Sequence, residues 1–167
     1  MSYPELSYPE PVYLGDTGEP SAILRPATAD ADIVMASGVR VSYLATAAQS
    51  AGEFGLYRWD FGEQAGGPAP HFHRSISESF FVLSGVVTLF DGSTEHEAGP
   101  GDFLLVPKGG IHSFRNDHGS ASMLILFTPG APREGYFEML GEVAAGRFTP
   151  TPEEWAAVCK DNDQFYP

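Results

Sequence analysis

The chain of 167 residues holds a single cysteine, Cys159, which excludes an internal disulfide framework and suits a reducing compartment. Basic residues are scarce: nine Lys plus Arg stand against 22 Asp plus Glu, a net charge of −13. Such an acidic surface repels a phosphate backbone or an anionic membrane, so neither nucleic acid nor a membrane is an expected partner. No apolar run approaches the roughly 18 to 20 residues needed to cross a bilayer. The opening Met1-Ser2-Tyr3-Pro4-Glu5 has neither the basic region nor the apolar stretch of a secretory signal, so the expectation is a soluble protein of the cytoplasm.

What is plentiful points to β-structure. The sequence carries 12 Phe, 7 Tyr, 19 Gly and 14 Pro, a mixture that favours short strands joined by turns over a helical bundle. β-prone runs occupy residues 32–36, 39–46, 54–61, 78–84, 86–90, 103–106, 111–115 and 122–128, because β-branched and aromatic side chains fit a pleated surface. Turn signals separate them, including Ser84-Gly85, Asp91-Gly92-Ser93, Gly99-Pro100-Gly101 and Gly109-Gly110. Asp91-Gly92 between two such runs predicts a hairpin. Roughly eight strands at this spacing describe an antiparallel barrel or jelly roll.

The two ends differ from this middle. Residues 1–31 carry Pro4, Pro9, Pro11, Pro20 and Pro26, which lack ladder donors, so this segment reads as an extended arm whose Tyr3, Tyr8 and Tyr13 suggest packing on the domain. Residues 32–130 form the barrel in this division, and residues 131–167 a helical extension. Tyr136, Leu140 and Val143 recur at helical spacing, and Thr151-Pro152-Glu153-Glu154 offers an N-cap threonine, a proline at the first helical position and a capping-box glutamate.

The chemistry-bearing residues lie in two segments. In the first, His71 and His73 stand two apart, so an extended backbone aims both imidazoles to one side, and the polar stretch Arg74 to Ser77 lets the chain turn and bring Glu78 back beside them. In the second, a strand, a Pro107/Gly109 turn and a returning strand deliver His112. Imidazoles with one carboxylate suit first-row transition metals and not Ca²⁺ or Mg²⁺, which prefer all-oxygen shells. His96 and His118 flank turns and read as surface residues.

These segments resemble the two signatures of the cupin superfamily, whose core is a six-stranded β-barrel. The first reads His71-x-His73-x4-Glu78-x6-Gly85, and the second Gly101-x5-Pro107-x-Gly109-x2-His112-x3-Asn116. One position departs: the glycine that opens the first signature falls on Ala65, with Gly66 and Gly67 following. The resemblance implies an all-β cupin double-stranded β-helix (jelly-roll barrel) with a short C-terminal helical tail. It also implies one divalent transition metal, drawn from Fe, Ni, Mn, Co, Cu or Zn, held by His71, His73, Glu78 and His112. A homodimer is implied too, with the N-terminal arm suited to pairing.

Counting by twos along the strands extends the ligand face to Phe80 and Val82 from Glu78 and to Phe114 from His112, and the same count proposes Phe103, Leu105, Leu124 and Leu126. These seven define an apolar pocket for a small organic, aromatic substrate. The overall layout resembles single-domain, quercetinase-like cupins of the cupin 2 type. That implies an enzyme, a dioxygenase opening a flavonol-like or other phenolic ring with O₂, in which Glu78 is both metal ligand and catalytic base. A non-oxidative polyketide cyclase or isomerase, with the metal as Lewis acid, and a non-catalytic small-molecule-binding module stand beside it as alternatives.

Overall fold

Alternation of inward and outward side chains, interrupted by glycine turns, produces nine antiparallel strands in the computed structural model, which describes residues 8–167. In chain order these are β1 (Ile33–Val34), β2 (Arg40–Ala45), β3 (Gly55–Asp60), β4 (Ser77–Ser84), β5 (Val87–Phe90), β6 (Glu95–Ala98), β7 (Phe103–Val106), β8 (Ser113–Arg115) and β9 (Ser122–Thr128). Two helices follow, α1 (Arg133–Ala144) and α2 (Pro152–Asp161). One sheet has six strands in the order β1-β2-β3-β9-β4-β7, and the other has three in the order β6-β5-β8. The two sheets fold over one core, the jelly-roll barrel that the turn spacing predicts, and the β5–β6 hairpin turns at Asp91-Gly92.

The crossing of the chain between sheets depends on glycine. Gly85, with φ +71°, ends β4, and a Cβ there would lie 2.5 Å from the Ser120 carbonyl oxygen. Only a residue without a side chain fits that close approach.

The core is aromatic. Tyr57, Phe80, Met123, Ile125 and Phe127 are fully or almost fully buried, and Phe137 of α1 reaches into the barrel mouth, its ring 5.1 Å from that of Tyr57 and 5.6 Å from that of Trp59. Edge-to-face geometry lets the positive rim of one ring meet the negative face of the next. The helices therefore close one end of the barrel. At α2 the capping box forms: the Glu154 amide donates to Thr151 Oγ1 at 3.2 Å, and the Thr151 amide donates to Glu154 Oε2 at 2.8 Å.

Residues 8–31 supply no strand and no helix. The packing expected of the arm's tyrosines is absent: Tyr8 and Tyr13 are exposed, together with Val12, Leu14, Ile23 and Leu24, while Tyr3 lies outside the described residues. The prolines deny the segment the ladder hydrogen bonds that would hold its apolar side chains against a sheet. Among the described residues no helix is long and apolar enough to cross a membrane.

Candidate metal centre

The four residues singled out by spacing converge. His71, His73, Glu78 and His112 are all buried, and one ligand atom from each lies within 4.8 Å of the others. Backbone pairing explains the meeting. His71 bridges His112 through reciprocal amide-to-carbonyl hydrogen bonds of 2.9 Å, and Glu78 enters from β4.

The imidazole tautomers follow from their partners. His71 Nδ1 lies 2.8 Å from the Ala69 carbonyl oxygen, His73 Nδ1 2.6 Å from that of Asp163, and His112 Nδ1 2.9 Å from that of Gly110. A carbonyl can only accept, so each Nδ1 carries a proton, which leaves each Nε2 as the nitrogen able to bind a metal at the centre. Nε2 of His73 and Nε2 of His112 each lie 2.9 Å from Glu78 Oε2. A ring nitrogen at that distance from a carboxylate oxygen needs a cation between the two, either a proton on Nε2 or a metal ion. The donor set thus fits a first-row divalent metal, with backbone carbonyls orienting every ring from behind.

Electrostatics fits the same arrangement. Burial would raise the Glu78 carboxyl, but the imidazoles of His112 and His73 outweigh it and hold the group well below the usual carboxylate range. Burial, aided by His112, pushes His71 down to about 4, so it is neutral near pH 7. Burial also works against a charged His112, yet Glu78 more than compensates and raises it.

The tail contributes to the centre from far along the sequence. Besides offering its carbonyl to His73, Asp163 accepts at its carboxylate from the Ser75 amide at 2.8 Å, from Ser75 Oγ at 2.6 Å and from the Arg74 amide at 3.1 Å. It thereby clamps the loop between His73 and Glu78. Phe165 bridges Phe72 between the two histidines, and Arg74 stacks over the Phe165 ring at 4.1 Å.

Above the cluster lies a cavity of about 410 Å³, within the range of small-molecule sites. His71 and Glu78 form part of its wall, Trp59, Phe61 and Phe114 line one side, and Arg133, Tyr136 and Phe137 of α1 line another. Trp155, Gln164 and Tyr166 of the tail complete it. Arg133 is buried beneath rings, and that burial pulls its guanidinium below the ordinary value, countered chiefly by Glu78. Asn116 also faces the cavity and donates from Nδ2 to the Gly62 carbonyl at 2.8 Å. The loop entry at Ala65 keeps its shape through Gly67, where a Cβ would stand 1.8 Å from the Phe114 carbonyl oxygen.

Most of the sequence-derived pocket needs correction. Of the seven residues, Phe114 lines the cavity. Phe80 and Val82 face inward but are packed in the core away from it, Phe80 with its ring 5.9 Å from His112 and 5.4 Å from Phe114. Phe103, Leu105, Leu124 and Leu126 face the opposite way. Strand register explains why, since directly paired residues share a face. Glu78 pairs with Val106 and with Phe127, and Phe80 with Leu104 and with Ile125. The inward residues of β7 and β9 are therefore the neighbours of those proposed, and Phe103 and Leu105 are 60% and 62% exposed. Counting by twos had no anchor on those strands and took the wrong parity.

Sequence reasoning missed Trp59, Phe61, Arg133 and Tyr136 as cavity residues, and Asp163 as the clamp. Trp59 lies on the β3 face that packs inward, so its parity was readable. Arg133 and Asp163 reach the centre only through tertiary folding. His96 and His118 are exposed, paired with Asp91 at 2.8 Å and Glu97 at 3.1 Å.

Comparison with known proteins agrees with this architecture. A sequence profile of the cupin domain matches residues 57–128. Quercetin 2,3-dioxygenase of Bacillus subtilis strain 168 is 35% identical over 80 residues, covering 48% of this chain and 23% of that protein. An uncharacterized protein of Aquifex aeolicus strain VF5 is 32% identical over 60 residues, or 36% of this chain and 50% of its own. The chain thus spans a quarter to a half of the length of these relatives. The structure of KdgF from Halomonas sp. superposes with a TM-score of 0.54 at 16% identity, covering 62% of this chain and 90% of that one, which shows a shared fold.

Proposed function

Because the chain belongs to the cupin superfamily, we propose that it is a metal-dependent enzyme acting on a small aromatic substrate, and that its reaction is the cleavage of a phenolic ring by O₂. The observation that carries the reading is the set of three imidazoles, each with Nδ1 committed to a backbone carbonyl, converging with Glu78 at the floor of an aromatic cavity. The choice of reaction rests on the 35% identity to quercetin 2,3-dioxygenase.

In this reading His71, His73, Glu78 and His112 hold one divalent transition metal. When bound, the ion supplies a Lewis acid for a substrate oxygen and a conduit for electrons between substrate and O₂. The protein supplies the rest. Trp59, Phe61, Phe114 and Phe137 offer edges and faces against which a flat ring stacks. Glu78 lines the cavity and uses Oε2 toward the imidazoles, leaving Oε1 as the atom to accept the proton of a substrate hydroxyl. The helices and tail narrow the cavity, and Trp155, Gln164 and Tyr166 form part of its wall. Both oxygen atoms enter the product, so the reaction needs no separate reductant.

The test is elemental analysis of the purified protein followed by oxygen-electrode assays with flavonols and simpler phenols. Near-stoichiometric Fe, Ni, Mn, Co or Cu with substrate-dependent O₂ uptake is the expected result. Bound Zn with product formed under nitrogen would replace the dioxygenase by a cyclase or isomerase, and no turnover under either atmosphere would leave a binding module.

A further inference from the structure

Arg133, the first residue of α1, is the one arginine or lysine lining the cavity among the described residues. It is only 4% exposed. Its guanidinium lies over the Tyr136 ring at 4.4 Å and the Phe127 ring at 5.1 Å. Nη1 donates to the Asn162 carbonyl at 2.7 Å, which ties α1 to the end of α2. Nε, by contrast, is buried with no hydrogen-bond partner, and no carboxylate is paired with the guanidinium among the described residues. A buried cation lacking a counter-ion is costly unless something pairs with it. Arg133 lines the cavity, and its delocalised guanidinium charge suits the two oxygens of a carboxylate entering there.

Charge points the same way. On the metal reading above, a divalent ion offset by Glu78 leaves one net positive charge at the cavity floor, and Arg133 adds a second in the wall. The remaining lining is almost wholly apolar or neutral. In a molecule of net charge −13, this is a local reversal of sign, suited to one anionic group on an otherwise apolar body.

We propose that the cavity selects an aromatic body carrying a carboxylate over its neutral counterpart, with the carboxylate paired to the guanidinium of Arg133 and the ring lying among Trp59, Phe61, Phe114 and Phe137. The proposal rests on the cavity being the substrate site, and it refines the substrate class. Arg133 is thereby a specificity-determining residue, placed by the N-terminus of α1 and held in register by Asn162.

The test compares 2-naphthoate with its neutral isostere 2-naphthamide, using calorimetry and the fluorescence of Trp59 and Trp155, both of which line the cavity. Titrations are run on EDTA-dialysed protein and on protein reloaded with the metal found by elemental analysis. We expect 2-naphthoate to bind at least about tenfold more tightly than 2-naphthamide in both forms, the worth of a charge-assisted pair. Arg133→Met should abolish the preference, and Arg133→Lys should retain part of it by keeping the charge without the fork. Far-ultraviolet circular dichroism and melting establish that each variant is folded, and the wild-type comparison stands without either. Equal affinity for the two probes, including no binding of either, overturns the proposal. So does a preference that appears only with metal and survives in Arg133→Met, since the ion would then hold the carboxylate. A preference retained in metal-free protein, together with no O₂ uptake on any phenol, supports Arg133 and sinks the dioxygenase reading alone.

Discussion

Phe80 and Phe81 are adjacent residues of one type on one strand, and they live in different solvents. Phe80 is fully buried among His112 and Phe114, whereas Phe81 is 39% exposed and paired across the sheet with Phe103 and Leu124. Apart from the buried Ser79, the β7-β4-β9 surface divides this way. Its inner face carries Glu78, Phe80, Val82, Ile125 and Phe127, and its outer face carries Phe81, Leu83, Phe103 and Leu105, all largely apolar. Hydrophobicity therefore does not mark the inside of this barrel. The clustered polar side chains do, because a buried imidazole or carboxylate is tolerated only where partners surround it.

The largest expected effect is on the inner face, at the proposed metal ligands. His73→Ala and Glu78→Gln should reduce bound metal from about one equivalent to a small fraction, measured by elemental analysis on dialysed protein, because each removes one of four converging donors. In the parent protein, free metal at a hundred times its dissociation constant should raise stability by about 2.7 kcal/mol. Chelation should reverse that gain, and both variants should lose it. Full metal retention in both would remove the centre from the interpretation.

Phe80→Ala comes next. Removing a fully buried ring leaves a cavity that its neighbours only partly fill, at a cost of about 3 to 5 kcal/mol, read from denaturant midpoints at constant m-value. The space opens against the His112 ring, 5.9 Å away, so weaker metal binding should accompany the lost stability. A loss below about 1 kcal/mol would mean that the inner face packs more loosely than these contacts imply.

These same strands show what the sequence discloses and what it withholds. Strand positions were legible because each run ends at a turn whose glycine or proline dictates the backbone, as at Ser84-Gly85 and Gly99-Pro100-Gly101. The four converging side chains were legible because their spacing places them on paired segments, and α2 because Thr151 to Glu154 spells its own cap. The faces of β7 and β9 were not, since parity depends on which residue of a distant strand stands opposite Glu78, and only the register supplies Val106 and Phe127. Nor could local pattern reveal that the Asp163 carbonyl, 90 residues beyond His73, accepts a hydrogen bond from its Nδ1, or that Arg133 lines the cavity. Such contacts are products of the closed fold.

The smallest effect is expected at Phe81→Ala, which separates the two faces with the residue type held constant. On the outer face the ring contributes cross-strand contacts with Phe103 and Leu124, worth roughly 0.2 to 1 kcal/mol each, and its truncation opens no internal cavity. Midpoint loss should stay near 1 kcal/mol, several-fold below that of Phe80→Ala, with metal content unchanged because no ligand lies on that face. Equal losses from the two phenylalanines would show that the outer surface is buried in the folded protein in solution. Reduced metal content in Phe81→Ala would show instead that the two faces are mechanically coupled through β4, so that strand position, and not side-chain direction, governs the centre.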